Sequence, residues 1–297
     1  MGNSFIDPTI GVSPSIINNA SINNKGLELS LHADWIVRKD FNWNTGLIFA
    51  RNTSKVLDVY QQGAYNPQTL NVLGYVKGYP VGALFAYRDA GLDKNGFPQV
   101  KNDRGTIYPT DNSVTGSGQD LILSSDTSGV VRYAGSSIPT MNAGLSNRID
   151  IGRFYIFAMI NYYGGFKVRV PAPNPTALRP IEGAEDYWRN PGDENRTNVP
   201  SLAALAGNAY NSIYAYNFSD RHIVNGDYLT LGDLTVSYSF DDKRFVKKLG
   251  FSHFEVKLQG SNLWTVGFNR FNYSPATGSF QKTYVTPTYT LALFTTF

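Results

Sequence analysis

Apolar and polar residues alternate along several segments of this chain. In residues 27–35 the odd positions hold Leu, Leu, Leu, Ala and Trp, and the even positions hold Glu, Ser, His and Asp. Segments 41–49, 234–240 and 254–259 show a similar alternation. Because successive side chains of a strand point to opposite faces, each segment predicts a β-strand with one apolar and one polar face. Runs of about 10 residues have the length of a tilted strand that crosses a bilayer.

The remaining strands predicted from the pattern are a pair at Tyr75–Tyr87 and Phe97–Tyr108, a pair at Met141–Arg148 and Phe154–Tyr163, and a last strand at 284–297. The total is about nine, whereas single-chain bacterial barrels have an even number of strands. The first residues also lack the basic and apolar segments of a secretory signal. Together these features predict that further strands precede this segment in the complete protein.

The connections between the predicted strands fall into two length classes. Short turns are expected near 37–40, 149–153 and 241–250, and long connections near 53–74, 103–138, 165–225 and 265–283. Short turns at one rim and long loops at the other are typical of an outer-membrane barrel. The predicted fold class is therefore all-β, an antiparallel transmembrane β-barrel of which this chain forms part of the wall. Residues 1–24 are expected to be an incoming loop, and 25–297 the C-terminal part of the barrel.

The alternation also predicts which side chains face lipid. The apolar set expected to point outward is Leu27, Leu29, Leu31, Trp35, Leu234, Val236, Tyr238, Leu291 and Leu293. The polar set expected to face the lumen is Glu28, Ser30, Asp34, Thr235, Ser237, Glu255 and Lys257.

Composition agrees with a wall that has one lipid face and one wet face. Charged residues make up 16% of the chain, against about 25% in an average soluble domain. Aromatic residues make up 14%, and the mean hydropathy is −0.25. A soluble β-sandwich shares the aromatic and glycine content but usually carries more surface charge. The longest apolar run, Phe154–Ile160, is far shorter than the roughly 20 residues of a transmembrane helix.

Catalysis, cofactors and nucleic acid find little support in the sequence. His32, His222 and His253 are far apart, and none has a second ligand at metal-binding spacing. The chain has no cysteine, which excludes disulfides and thiolate metal sites. The basic residues Arg244, Lys247 and Lys248 are interpreted as a solvated turn. The acidic residues of one long loop could bind a hard cation such as Ca²⁺ or simply be hydrated. They are Glu182, Glu185, Asp186, Asp193 and Glu194.

Aromatic residues of the long loop at 165–225 are the best candidates for contact with a substrate or partner. They are Tyr187, Trp188, Tyr210, Tyr214 and Tyr216. Their flat faces are apolar and most of their tips are polar, which suits stacking on a sugar ring or packing under a partner protein. The alternative is that they pack the loop against itself or anchor it at the membrane interface.

The last strand ends the chain on an aromatic residue. Tyr289, Leu291, Leu293 and Phe297 lie on one face of this strand. The pattern resembles the closing strand of Gram-negative outer-membrane barrels, and the resemblance implies a signal read by the barrel-assembly machinery. The alternative is an ordinary edge strand that happens to end on phenylalanine.

Six motifs in order along the chain resemble the SusC/RagA family of TonB-dependent outer-membrane transporters. They are Asn23–Leu29 (NNKGLEL), Asp40–Trp43 (DFNW), Gly78–Ala83 (GYPVGA) with the AGLD and NGFP strings after it, Tyr187–Asn195 (YWRNPGDEN) with TNVP, Asp227–Thr235 (DYLTLGDLT) and Gln259–Thr265 (QGSNLWT). The resemblance implies a C-terminal fragment of a longer protein with a plug domain and a barrel of about 22 strands. It also implies a Gram-negative outer-membrane location, a SusD-like surface lipoprotein partner and energy transduction through TonB, ExbB and ExbD.

The resemblance implies import of glycans, peptides or similar oligomers, without chemistry at the protein. An alternative is a small self-closed outer-membrane barrel that serves as an adhesin or scaffold, or a non-functional fragment. A third class, an outer-membrane hydrolase, lacks any grouping of Ser, His and Asp in the sequence.

Overall fold

The computed structural model describes residues 2–3, 16–17, 20–59, 65–111, 128–206, 210–240, 244–248, 250–271, 273–278 and 286–297. The chain divides into two compact units. The wall unit contains Gly26–Asn52, Pro139–Gly165 and Gly226–Phe297. The loop unit contains Met1–Lys25, Thr53–Ile138 and Phe166–Asn225.

Strands dominate both units. In chain order they are β1 (Gly2–Asn3), β2 (Ile16–Ile17), β3 (Ala20–Val37), β4 (Phe41–Val59), β5 (Ala83–Tyr87), β6 (Asp89–Leu92), β7 (Pro98–Lys101), β8 (Ile107–Pro109), β9 (Val131–Ser136), β10 (Met141–Ile151), β11 (Phe154–Gly164), β12 (Lys167–Arg169), β13 (Ile223–Asn225), β14 (Tyr228–Ser239), β15 (His253–Gly267) and β16 (Thr288–Thr296). The α-helices are α1 (Pro67–Leu73), α2 (Tyr210–Asn217) and α3 (Arg244–Lys248). Single 3₁₀ turns occur at Ala184–Asp186, Asp193–Asn195 and Asp220–His222. Among the described residues, no helix is long and apolar enough to span a membrane.

The main sheet, which we call the wall sheet, has the strand order β16-β15-β14-β11-β10-β4-β3. From β4 to β16 each neighbouring pair is antiparallel. The prediction of an antiparallel fold is thus confirmed in its coarser part, since the described residues are mostly β with a few short helices. Within the described residues the sheet has seven strands, where about nine were predicted, and β3 and β16 lie at its edges without closing on each other.

The sorting of short and long connections follows the prediction. Short turns at 38–40 and 152–153 and the segment 240–252 link neighbouring strands at one end of the wall sheet. Long connections at 60–140, 165–227 and 268–287 link them at the other end. The turn between β10 and β11 has two residues, and Gly152 supplies the positive φ of 57° that such a tight hairpin needs.

The prediction that Tyr75–Tyr87 and Phe97–Tyr108 form a further pair of wall strands was wrong. Only Ala83–Tyr87 of the first segment is a strand, and it pairs with β9. The second segment gives β7 and β8, which pair with each other while β7 also pairs with β6. Each of these strands has at most five residues, which is too short to cross a bilayer. All of them belong to the single long connection between β4 and β10.

The loop unit has an apolar core of its own. Phe85, Tyr87, Val100 and Val130 are almost completely buried, and aromatic side chains pack around them. Tyr79 meets Phe85 edge to face, with ring centroids 4.9 Å apart. The two long connections that follow β4 and β11 therefore fold as a packed body. On the N-terminal side, β3 begins at Ala20, inside the segment that was expected to be an incoming loop.

Candidate functional site

One face of the wall sheet is an exposed apolar surface. The register aligns one apolar residue from each of six strands in a single row, namely Trp43, Ile149, Ile156, Val236, Leu258 and Leu291. Leu258 is 54% exposed and Leu291 is 68% exposed. Soluble monomers rarely expose a continuous apolar surface of this kind, so this face needs an apolar environment. We call it the apolar face.

The opposite face, which we call the polar face, holds all the charge of the wall strands from β10 to β16. Strands β11 and β16 contain no charged residue. The charged residues of β10, β14 and β15 are Arg148, Asp150, Asp233, Glu255 and Lys257. Each of them shares a face with Thr235 and Ser237, because paired or alternate residues point the same way. The predicted division of faces is confirmed for these strands.

Aromatic side chains gather where the short connections join the wall strands. A chain of ring contacts, each with centroids 4.5–6.3 Å apart, runs through Phe154, Tyr238, Phe240, Phe254, Phe251 and Phe297. Trp35 and Trp43 form a separate pair at 6.2 Å on β3 and β4. The Trp43 indole N–H donates to Asn147 Oδ1, and the Trp35 N–H donates to Thr45. Aromatic rings whose N–H group is hydrogen-bonded in this way are typical of a membrane–water interface.

Three residues of the predicted assembly signal lie on the edge strand β16, and the fourth, Phe297, directly follows it. Tyr289, Leu291, Leu293 and Phe297 are 71%, 68%, 60% and 88% exposed. The Phe297 ring contacts Phe251 with centroids 5.2 Å apart. The four side chains are accessible on the chain described here, and their reading by an assembly machinery stays a prediction.

In the loop unit, Trp188 joins two motifs that are far apart in sequence. Its ring lies against the backbone of Gly96, where an added Cβ would come within 2.6 Å of it. Gly96 has a φ of 76°, and its carbonyl accepts a hydrogen bond from the N–H of Ser201. The Trp188 indole N–H donates to Glu194 at 3.1 Å. Trp188 therefore holds the loop 184–201 against the turn at 93–97.

Two acidic side chains of this loop, Asp193 and Glu194, accept hydrogen bonds from backbone N–H groups of the same loop. The N–H groups of Asn190 and Arg189 donate to Asp193 Oδ2, and these bonds lower the pKa of Asp193. The pKa of Glu194 is lowered by its own backbone N–H, by the Trp188 indole and by the Gly192 N–H. Among the described residues, no three His, Asp or Glu side chains form a group that could hold a metal ion.

The other predicted contact residues differ in accessibility. Tyr187 is half-buried, with the Arg189 guanidinium 4.4 Å above its ring. Tyr214 packs on the core of the loop unit. Tyr216 is only 4% exposed and donates its hydroxyl hydrogen bond to the Pro173 carbonyl at 2.8 Å, so it offers little surface to a substrate. The side chain of Tyr210 lies outside the described residues.

A partly buried polar network in the loop unit was missed by the sequence analysis. Arg221 binds Asp89 through two nitrogens, at 3.0 and 2.5 Å, and Arg132 binds Asp220 at 3.3 Å. His222, 2% exposed, bonds the Tyr216 carbonyl through Nδ1 at 3.0 Å. No local pattern marks these residues, because their partners are distant in sequence.

Burial lowers the pKa of two groups in this region, His222 and Arg169. Desolvation lowers the pKa of His222 to about 4, although the hydrogen bond to the Tyr216 carbonyl and the charge of Asp89 oppose the shift; the nearby Arg169 and Arg221 add to it. Desolvation also lowers the pKa of Arg169 to about 10. The Arg169 Nη2 donates to the Phe85 carbonyl, and its guanidinium lies 5.0 Å from the Phe218 ring. His222 is therefore neutral at physiological pH.

The other two histidines lie on wall strands. His32 is 3.3 Å from Asp34, and His253 is 3.6 Å from Glu255, each pair two residues apart on one strand.

Comparison with known proteins identifies relatives among transporters. No protein-family model matches the chain. Two TonB-dependent receptors of Formosa agariphila are similar, one 25% identical over 81% of this chain and 26% of its own length, the other 26% identical over 86% and 25%. The chain thus spans about a quarter of the length of these relatives. Two solved structures, the RagAB peptide transporter and the RagAB peptide importer in its closed-closed state, superpose with TM-scores of 0.68 and 0.67 at 19% identity. Each match covers 97% of this chain and 31% of the solved chain.

The two-faced antiparallel sheet with sorted connections is the fold that this chain shares with part of the similar solved chains, and its sequence relatives are TonB-dependent receptors. The sequence relatives and the shared fold confirm the resemblance stated from the motifs. The chain matches part of a TonB-dependent transporter of the SusC/RagA type.

We expect the contact between Gly96 and Trp188 to stabilise the folded conformation of the loop 184–201. Replacing Gly96 by alanine should destabilise this loop by about 1–3 kcal/mol, because a Cβ strains the left-handed backbone and displaces the indole. Hydrogen exchange of the amides in 184–201, measured on the full-length protein, reports the change. Gly91→Ala is the matched control, since Gly91 has a φ of 84° but open space around it. Equal exchange in the two variants would show that Trp188 does not depend on Gly96.

The buried His222 predicts that the loop unit loses stability in acid. The unfolded chain takes up a proton near pH 6.5 and the folded chain only near pH 4, so stability is complete above pH 6.5 and falls as the pH drops toward 4. The loss at pH 4 is on the order of 3 kcal/mol. Limited proteolysis of the loop unit between pH 5 and 7 measures it. His222→Gln should remove this dependence of stability on pH. His32→Gln, which changes an exposed side chain, should retain it. A dependence that persists in His222→Gln would show that another group causes it.

Proposed function

We propose that this chain is the C-terminal barrel portion of an outer-membrane nutrient importer of a Gram-negative bacterium. The observation that carries the proposal is the division of the wall sheet into an exposed apolar face and a polar face that holds every charge of strands β10 to β16. In a barrel the apolar face meets lipid and the polar face meets an aqueous lumen. The named relatives, which are TonB-dependent receptors, support the same function.

The open edges of the wall sheet suit a part of a larger wall. Lipid penalises unpaired backbone groups by several kcal/mol each, so strands at a membrane edge require partners. Further strands of the full-length protein would supply them. A self-closed barrel that acts as an adhesin or scaffold has no specific support, because β3 and β16 do not pair within the described residues.

The partners follow from the proposed class. The importer would work with a SusD-like surface lipoprotein, draw energy through TonB, ExbB and ExbD, and be inserted by the barrel-assembly machinery acting on Tyr289, Leu291, Leu293 and Phe297. Its cargo would be a glycan, a peptide or a similar oligomer. One of the similar structures is a peptide transporter, which makes peptides the first cargo to try. Chemistry at the protein is not required.

The loop unit is the proposed contact region for cargo or lipoprotein. Tyr187 and Trp188 are its leading residues, because they lie on the loop 184–201, which Gly96 and Glu194 hold in place. An ordered aromatic surface binds with a smaller loss of conformational entropy than a mobile one. Tyr210 and Tyr214 stay candidates of lower rank, and Tyr216 contributes through the loop's own packing.

The membrane assignment predicts different tolerance of charge on the two faces. In the full-length protein, Leu29→Arg should destabilise the barrel by about 2–4 kcal/mol, because the charge enters the hydrocarbon region. Ser30→Arg, one residue along the same strand, should cost far less. The yield of folded protein in the outer-membrane fraction and its resistance to unfolding in detergent measure the difference. Equal sensitivity at the two positions would contradict the assignment of the apolar face to lipid.

Removal of the aromatic loop tests its role. Replacing residues 183–200 of the full-length protein by a short Gly-Ser linker should abolish uptake or lipoprotein capture while the barrel still assembles, since loops tolerate change that strands do not. The point variant Tyr187→Ser should weaken the same readout several-fold without removing the loop. Unchanged uptake together with unchanged lipoprotein capture in both variants would exclude the loop as a functional element.

A further inference from the structure

Two polar side chains interrupt the apolar face near the short-turn end of the wall sheet. From Phe41 to Phe49 on β4 and along all of β10, the residues of this face are aliphatic or aromatic except at Thr45 and Asn147. These two residues are directly opposite each other in the register of β4 and β10. A polar group that points toward lipid costs free energy unless it is hydrogen-bonded. Both side chains therefore require hydrogen-bond partners.

Two tryptophans of the same face supply most of these partners. The Trp35 indole N–H donates to Thr45 Oγ1 at 3.0 Å. The Thr45 hydroxyl donates in turn to Asn147 Oδ1 at 2.7 Å, and the Trp43 indole N–H donates to the same oxygen at 3.2 Å. Because both neighbours of this oxygen are donors, they also fix the orientation of the Asn147 amide. The two indoles, the hydroxyl donor and the amide oxygen are thus all satisfied within the sheet.

The network ends on the amide nitrogen of Asn147, which is left with two unused donors. In the described part of the chain, this nitrogen has no hydrogen-bond acceptor. Every hydrogen bond of the network points toward Asn147, and bonds in such a chain polarise one another, which strengthens the terminal donors. The Asn147 side chain is only half-buried. An acceptor can therefore reach its nitrogen from the membrane side.

The position of Asn147 determines which acceptor it would meet. Ala158 is directly opposite Asn147 on β11, and its single methyl group occupies little of the space beside the amide. Asn147 lies four residues before Ile151, the last residue of β10. With a rise of about 3.4 Å per residue and a strand tilt of about 45°, this is roughly 10 Å along the membrane normal. The polar zone on each side of a bilayer is about 5–8 Å thick, so the amide would lie where this zone meets the hydrocarbon.

We propose that Asn147 binds a phospholipid through an ester carbonyl oxygen, with Trp35 and Trp43 beside the glycerol backbone. Ester groups lie between the headgroups and the acyl chains, and they offer acceptors without donors. They therefore complement a site whose unused groups are donors alone. Short turns of outer-membrane barrels face the periplasm, so the lipid would belong to the inner leaflet, which consists of phospholipid. The inference rests on the proposed function, because it requires the apolar face to meet lipid.

Phospholipids with and without ester carbonyls test this site on the full-length protein in detergent. The probes are a diester phosphatidylethanolamine and its diether analogue, which has the same headgroup and acyl chain length. Native mass spectrometry measures the dissociation constant of the bound lipid. The wild-type protein should bind the diester about fivefold more tightly, the change expected for one neutral hydrogen bond. Equal affinities would overturn the proposal without any substitution that affects folding, and they would also exclude recognition through the ester rather than the phosphate.

A pair of asparagine variants on β10 assigns the preference to one position. Asn147→Leu should lower the affinity for the diester to that for the diether, with no further loss when the variant and the diether are combined. Asn142→Leu is the matched control, because Asn142 lies on the same strand but on the polar face, and it should keep the fivefold preference. A preference that persists in Asn147→Leu would place the lipid elsewhere and overturn the proposal. Its loss in Asn142→Leu would do the same, by showing a general disturbance of β10.

Three further outcomes separate this lipid site from the proposed function. A dimer mass that disappears in Asn147→Leu would show that a second copy of the protein supplies the acceptor, which would refute the lipid site. A protein that reaches the outer membrane and imports its cargo, but shows no preference for the diester, would refute the lipid site alone. A full-length protein that does not reach the outer membrane would instead refute the proposed function.

Discussion

The exact alternation of side chains across a β-strand is the constraint on which the wall depends. Because each residue faces the side opposite to its neighbour, a register shift of one would move charge from the polar face to the apolar face of a strand. Five neighbouring strands keep the same division, from Ile149 in β10 to Leu291 in β16. The bulge near Gly232 shifts the register of β14 without mixing the faces around it, since Asp233 still shares its side with Thr235 and Ser237.

The loop unit shows how long connections can be ordered without long secondary structure. Its stability rests on an aromatic core around Phe85 and on polar contacts that join distant segments, such as Asp89 with Arg221. The same burial that orders the unit removes the charge from His222. Under the proposed function, the wall sheet supplies passage and membrane anchorage, and the loop unit supplies surfaces for recognition.

Local patterns in the sequence determined the wall. Alternation depends only on residue i and its neighbours, so strands β3, β4, β14, β15 and β16 could be located from the printed sequence alone. The sorting of the connections followed from the positions of these strands. The fold class and the resemblance to TonB-dependent transporters rested on the same local information. Short strands in the long connection were misassigned, because segments such as Ala83–Tyr87 are apolar on both faces for burial in a small core.

Only the tertiary structure determined which side chains come together at one site. Trp188 lies on Gly96, Arg221 binds Asp89, and Trp43 donates to Asn147, although none of these pairs is close in sequence. Such contacts depend on chain reversals, strand order and loop packing, which a single sequence does not reveal by periodicity. For the same reason the sequence marked Tyr216 as a contact candidate, whereas the fold buries its ring and bonds its hydroxyl to Pro173. The sequence by itself determined the two faces of the wall, because that property is local; the fold decided the sites, because they are built from distant residues.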